Sequence, residues 1–168
     1  MDRARRYGGV PLDPDPTHTG PRSPADAAPH TEPLLLAAVF AGGLVGTPVR
    51  YAVGLALPAR AGGWPTGTFL VNLVGAFLLG LLVEELARRG PDRGRRRVLR
   101  LGLGAGLLGA FTTYSTLAVE TDLLVRDHRA ALAATYALST VLAGLVLAAT
   151  GITLAAARHR RRTAPSAA

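Results

Sequence analysis

An all-α integral membrane protein with four transmembrane helices, the third broken near mid-membrane, is the fold expected of this 168-residue chain. Three observations point there. Four apolar segments of 20 residues or more follow one another, at residues 34–57, 67–86, 98–125 and 130–157. Charges gather in short blocks around them, although the chain holds 19 basic and 11 acidic residues and a formal net charge of +8. Glycine and hydroxyl residues concentrate in the middle of the third segment. A helix needs roughly 20 apolar residues to cross the hydrocarbon core, and all four segments reach that length. Four in series with short loops are not what buried helices of a soluble domain look like. Every basic residue is arginine and cysteine is absent, which excludes a disulfide framework, a thiolate metal site and thiol catalysis.

Residues 1–32 hold six of the 12 prolines, mix both charge signs and show no apolar periodicity. That composition reads as a disordered N-terminal tail. Residues 33–157 form the four-helix membrane domain, and residues 158–168 a basic C-terminal tail. The first segment contains one charge, Arg50, and a Gly42–Gly46 pair at the spacing that lets helices approach closely. The second places Thr68 and Asn72 four apart, on one face, and ends in Glu84 and Glu85. The third begins near Arg100 and ends near Glu120 and Asp122. The fourth has no charge in 28 residues, and Tyr136, Thr140 and Gly144 form a row along one side.

Orientation follows from arginine. Fifteen of the 19 lie in the N-terminal tail, the loop between the second and third segments, and the C-terminal tail. Only Arg60, Arg126 and Arg129 fall on the opposite side. Arginine near span ends is retained in the cytoplasm, so a multi-pass cell-membrane protein with both termini cytoplasmic is expected. The basic run at residues 93–97 reads as topogenic, with contact to anionic headgroups as its companion role. No folded basic domain or aromatic platform accompanies it, which argues against nucleic-acid binding.

Polar groups inside the spans are few, and each needs a protein interior or a water path. Asn72 serves either as interhelical glue or as a pathway residue. In the third segment Gly102, Gly104, Gly106 and Gly109 precede Phe111-Thr112-Thr113-Tyr114-Ser115-Thr116. Small-residue packing with back-bonded hydroxyls is one account. A break that frees main-chain groups is the other and is favoured, because four Ser/Thr hydroxyls in five residues cannot all face lipid. The carboxylates Glu84, Glu85 and Glu120 lie near span ends, where solvation suffices. His18, His30, His128 and His159 lie in tails or loops, and no catalytic set, metal-ligand cluster or phosphate loop is visible. An enzyme is not indicated.

Three motifs in register resemble the Fluc (CrcB) fluoride channels. They are Gly42-Gly43-Leu44-Val45-Gly46-Thr47-Pro48-Val49-Arg50-Tyr51, the GTxxVNxxGxFxxG pattern at residues 67–80, and Gly109-Ala110-Phe111-Thr112-Thr113-Tyr114-Ser115-Thr116. The resemblance covers residues 34–157. It implies a dimer of antiparallel subunits with two narrow pores, a central structural sodium ion, and passive exit of cytoplasmic fluoride that entered as hydrogen fluoride. It implies an ion pathway of Thr68, Asn72, Tyr114, Ser115, Leu117, Tyr136 and Thr140. Main-chain carbonyls of Gly109 and Thr112 would hold the sodium, and Arg50 and Glu120 would sit toward the mouths. A small, strongly hydrated anion needs dense donors to replace its water.

Two departures stand out. Where the family carries two phenylalanines three apart, this chain has Tyr114 and Leu117. The arginine bias also opposes insertion in both orientations, which suggests one half of a heterodimer with a related subunit in the bilayer rather than a homodimer. A proton-coupled four-helix exporter is the alternative, weakened because no carboxylate lies mid-span. A non-conducting scaffold would leave the hydroxyl cluster without a purpose.

Overall fold

The computed structural model describes residues 32–163, with side chains as far as residue 161. Apart from Glu32, the tail expected at residues 1–32 lies outside the described residues, as do residues 164–168 of the C-terminal tail. The elements are α1 (Pro33–Ala56), α2 (Thr66–Arg88), α3 (Arg95–Leu99), a π-helical segment (Arg100–Leu108), α4 (Gly109–Phe111), α5 (Tyr114–Arg126) and α6 (Ala130–Thr163). Among the described residues there is no strand. Four stretches are long and apolar enough to cross a membrane: Pro33–Ala56, Thr66–Arg88, Arg95–Arg126 and Ala130–Arg161. The chain is a multi-pass membrane protein.

The four expected segments are therefore present, with two differences. The last helix runs to Thr163, into the region read as a basic tail. Arginine is a good helix former, and its charge near a helix C-terminus complements the backbone dipole. The third span is also not one α-helix before its break. Nine residues, Arg100–Leu108, take the wider π turn. Three of them, Gly102, Gly104 and Gly106, have no side chain to lock the tighter turn in place.

Glycine decides which helices touch. A Cβ on Gly42 would lie 2.6 Å from the Leu107 nitrogen, and one on Gly106 would lie 2.5 Å from the Val39 carbonyl. The Gly42–Gly46 pair thus seats α1 directly on the backbone of the π-helical segment. On the other side of the bundle, α2 and α6 pack along their length. A Cβ on Gly151 would stand 2.8 Å from the Leu81 nitrogen, and one on Gly80 would collide with the Ala148 carbonyl. Such small-residue seams replace the hydrophobic effect, which gives helices little reason to associate in lipid.

At one end the Arg129 guanidinium donates to the Gly62 carbonyl at 2.7 Å, tying the loop after α1 to the loop before α6. At the other end Arg88 and Arg89 pair with Glu84 and Glu85 one turn earlier. Large apolar side chains cover the outside, including Phe40 and Leu145 at 68 % exposure each. That is the surface a bilayer or a second subunit would cover.

Gly75 is the tightest test of this packing, because a Cβ there would overlap the Thr112 methyl group at the break. Gly75→Val should lower the thermal midpoint in detergent, by the roughly 1–3 kcal/mol typical of overpacking. Gly54→Ala, which meets nothing within 4 Å, should leave it nearly unchanged. Equal midpoints for the two variants would refute this account of the seam.

Candidate functional site

The third span breaks at two residues. Thr112 (φ −78°, ψ 162°) and Thr113 (φ −151°, ψ 123°) are both extended, and α5 starts immediately after them. In a continuous helix the Thr113 amide would donate to the Gly109 carbonyl. Instead it donates to Asn72 Oδ1 at 2.8 Å. Asn72 Nδ2 returns a bond to the Thr113 carbonyl at 2.9 Å. One side chain of α2 therefore satisfies both main-chain groups of a buried, non-helical residue, and the helical partner of the Gly109 carbonyl is diverted. Thr113 also caps α5, its Oγ1 accepting from the Thr116 amide at 3.1 Å. The same hydroxyl donates to Thr116 Oγ1 at 3.0 Å and lies 3.2 Å from Ser115 Oγ. Thr112 bonds back to the Leu108 carbonyl through both its amide and its hydroxyl.

One turn along α2 is a second polar cluster. Thr68 Oγ1 donates to Glu120 Oε1 at 2.9 Å, and the Tyr136 hydroxyl donates to Glu120 Oε2 at 2.6 Å. Glu120 is thus not simply solvated near a span end, as its position in sequence suggested. Its two oxygens are engaged by residues 52 and 16 positions away. Tyr136 is fully buried, with the Trp64 ring edge-on at 5.4 Å. Thr140 Oγ1 donates to the Tyr136 carbonyl at 2.6 Å.

Two cavities flank the break. One, of about 510 Å³, is bordered by Arg50, Thr68, Thr113, Thr116 and Glu120. The other, of about 370 Å³, is bordered by Asn72, Gly109, Thr112, Tyr114, Leu117 and Thr140. Thr113 borders both, so the Asn72–Thr113 clamp lies between them. Arg50, Thr68 and Glu120 thus share the first cavity, and most of the other expected residues share the second. Ser115 is exposed and borders neither, although it touches Thr113. Tyr136 is buried behind Glu120. Tyr114 is 82 % exposed on the outside of the bundle, whereas Leu117 is buried with Leu124, Ala133 and Tyr136.

Thr113 and Thr116 were not singled out from sequence. The signal was the hydroxyl cluster at 112–116, but nothing in it tells which hydroxyl caps a helix and which meets a cavity. Among the described residues no group of three His, Asp or Glu side chains could hold a metal ion.

Hydrogen counting says what the site can offer. An amide NH2 has two hydrogens, and Asn72 commits one to the Thr113 carbonyl, leaving the other for a guest acceptor. Thr116 accepts from Thr113 and keeps its own hydroxyl hydrogen, facing the larger cavity. Arg50 makes no ion pair among the described residues and adds positive charge there. The Thr68 and Tyr136 hydroxyls point at Glu120, so a guest anion would compete with that carboxylate for them. The site is a short run of donors suited to a small anion.

A family model described as CrcB-like protein, Camphor Resistance (CrcB), matches residues 37–152. Among relatives, the fluoride-specific ion channel FluC 1 of Cutibacterium acnes is 49 % identical over 116 residues, covering 69 % of this chain and 81 % of that protein. The fluoride-specific ion channel FluC 2 of Leifsonia xyli is 45 % identical over 133 residues, covering 79 % and 90 %. The fluoride-specific ion channel FluC of Caulobacter vibrioides is 42 % identical over 118 residues, covering 70 % and 91 %.

Replacing Asn72 by Ala would leave the Thr113 N–H and C=O without partners, at about 1–3 kcal/mol for each buried group. Hydrogen exchange at the Thr113 amide should accelerate at least tenfold, while amides in the middle of α6 stay protected. Unchanged protection at Thr113 would mean that the clamp does not hold the break.

Proposed function

Because the chain belongs to the CrcB family, we propose that it is a subunit of a fluoride-selective channel through which fluoride leaves the cytoplasm passively. The observation that carries this reading is the Asn72–Thr113 clamp, set at a helix break between two cavities. Fluoride holds its water tightly, so a pathway must return hydrogen bonds as water is shed. The second Asn72 hydrogen and the Thr116 hydroxyl serve that purpose, with Arg50 favouring anions at the larger cavity. The chemistry is binding and release, with no covalent step.

A second subunit, antiparallel to this one, would cover the outer apolar face and the exposed Tyr114 ring. Fifteen arginines on one side favour a fixed orientation, with both termini in the cytoplasm, and hence a related partner chain rather than an identical one. A sodium ion would be held by the main-chain carbonyls of Gly109 and Thr112. The residues fit: Gly109 is exposed, its helical donor is diverted to Asn72, and Thr112 is extended. Carbonyl oxygens suit a hard cation. Bound there, sodium would supply a fixed positive charge close to the anion's path.

Fluoride efflux from liposomes, with chloride as control, tests the reading. Chloride should stay trapped while fluoride leaves. Asn72→Leu removes a charge-assisted donor of about 1.5–3 kcal/mol, a ten- to hundred-fold loss of fluoride flux. If this chain alone is silent, co-reconstitution with a related family member should restore flux. Silence in both preparations would sink the channel reading.

A further inference from the structure

Among the described residues, a cavity larger than the two at the break lies elsewhere. It measures about 1300 Å³ and lies between the start of α1 and the turn leading into α3. Its walls have two characters. Leu34, Leu35, Val98 and Leu99 form an apolar side, with Leu34 67 % and Leu99 48 % exposed. Arg93, Arg95, Arg97 and Arg100 form a cationic rim. Two carboxylates answer them: Glu32 meets Arg97 at 3.0 Å and Asp92 meets Arg100 at 2.7 Å. Arg93 and Arg95 have no side-chain partner among the described residues. Among the described residues the rim thus carries an uncompensated charge of two.

Position matters as much as charge. α1 has 24 residues, about 36 Å of helix, slightly more than a hydrocarbon core of roughly 30 Å. Its first residues, and the arginines beside them, therefore stand at headgroup depth. Exposed leucines below a guanidinium rim match an acyl chain below a phosphate. Guanidinium groups bind phosphate oxygens in a bidentate, charge-assisted manner. We propose that this cavity is a binding site for an anionic glycerophospholipid, its phosphate between Arg93 and Arg95 and one acyl chain along Leu34 and Leu99. Neither residue belongs to the break or its cavities, so the proposal stands or falls apart from the channel reading.

Native mass spectrometry of the full chain, purified in detergent and titrated with cardiolipin, tests it. The wild-type protein should retain cardiolipin and release it as salt rises, with phosphatidylethanolamine retained far less. Arg93→Ala together with Arg95→Ala should weaken retention about thirty-fold, from the loss of two charges near the surface. Arg126→Ala, at the opposite end, should leave it unchanged. Arg93→Lys with Arg95→Lys should keep most of it, which guards against misfolding of the alanine variant. Equal retention by the alanine variant and wild type overturns the proposal. So does absence of retention by wild type, which would point to residues 1–31, with their four aspartates, as the occupant.

Discussion

One side chain on α2 makes the broken helix possible. A non-helical backbone at membrane depth exposes an N–H and a C=O that lipid cannot satisfy, each costing several kcal/mol. Asn72 meets both groups of Thr113 through a single planar amide. Few other side chains could do this. Asp has no donor, while Ser and Thr have one oxygen and cannot bridge the two groups in that geometry. The interpretations of Asn72 as glue and as pathway residue are therefore not exclusive. It is glue for a backbone break, and in the proposed channel its remaining hydrogen is what a passing anion would use.

The rest of the fold serves this contact by proximity. Gly75, three residues after Asn72, leaves room for the Thr112 methyl group, so the break can lie against α2. Gly46 does the same from α1: a Cβ there would come 3.0 Å from the Phe111 nitrogen. Two glycines on different helices thus hold the C-terminal end of α4, and the π-helical segment precedes it. A nine-residue π-helix is unusual, since such turns mostly occur singly. Its glycine content and its close seat on α1 make the wider turn tolerable.

Much of this was legible in the sequence. Four spans were visible as long apolar runs, and the break was visible as Gly-rich backbone followed by hydroxyls that lipid would not accept. Face-sharing by Thr68 and Asn72 followed from a spacing of four. The illegible parts are those set by long-range contact or by backbone geometry. Glu120 sits near the end of the third apolar segment and looks solvated, until Thr68 and Tyr136 are brought to it from two other helices. The π turn leaves no periodic mark, because glycines do not report which face they occupy. The helical extension to Thr163 was hidden by arginines that signal a tail by charge yet favour helix by propensity.

The two departures from the family pattern now have different physical meanings. Leu117 is buried against Leu124, Ala133 and Tyr136 while also bordering the smaller cavity. A leucine there fills the bundle interior, but it presents no ring edge to an anion. Tyr114, three residues earlier, is 82 % exposed at the outer edge of the same cavity. Most of its ring is open to whatever covers that face. An aromatic edge carries partial positive charge and can face an anion, and tyrosine retains that edge. The aromatic contribution of this chain is therefore concentrated in one residue at its surface, while the polar donors lie inside. In the proposed dimer, a pathway using both would run along the subunit boundary, where the ring of one chain and the hydroxyls of another would face the same ion.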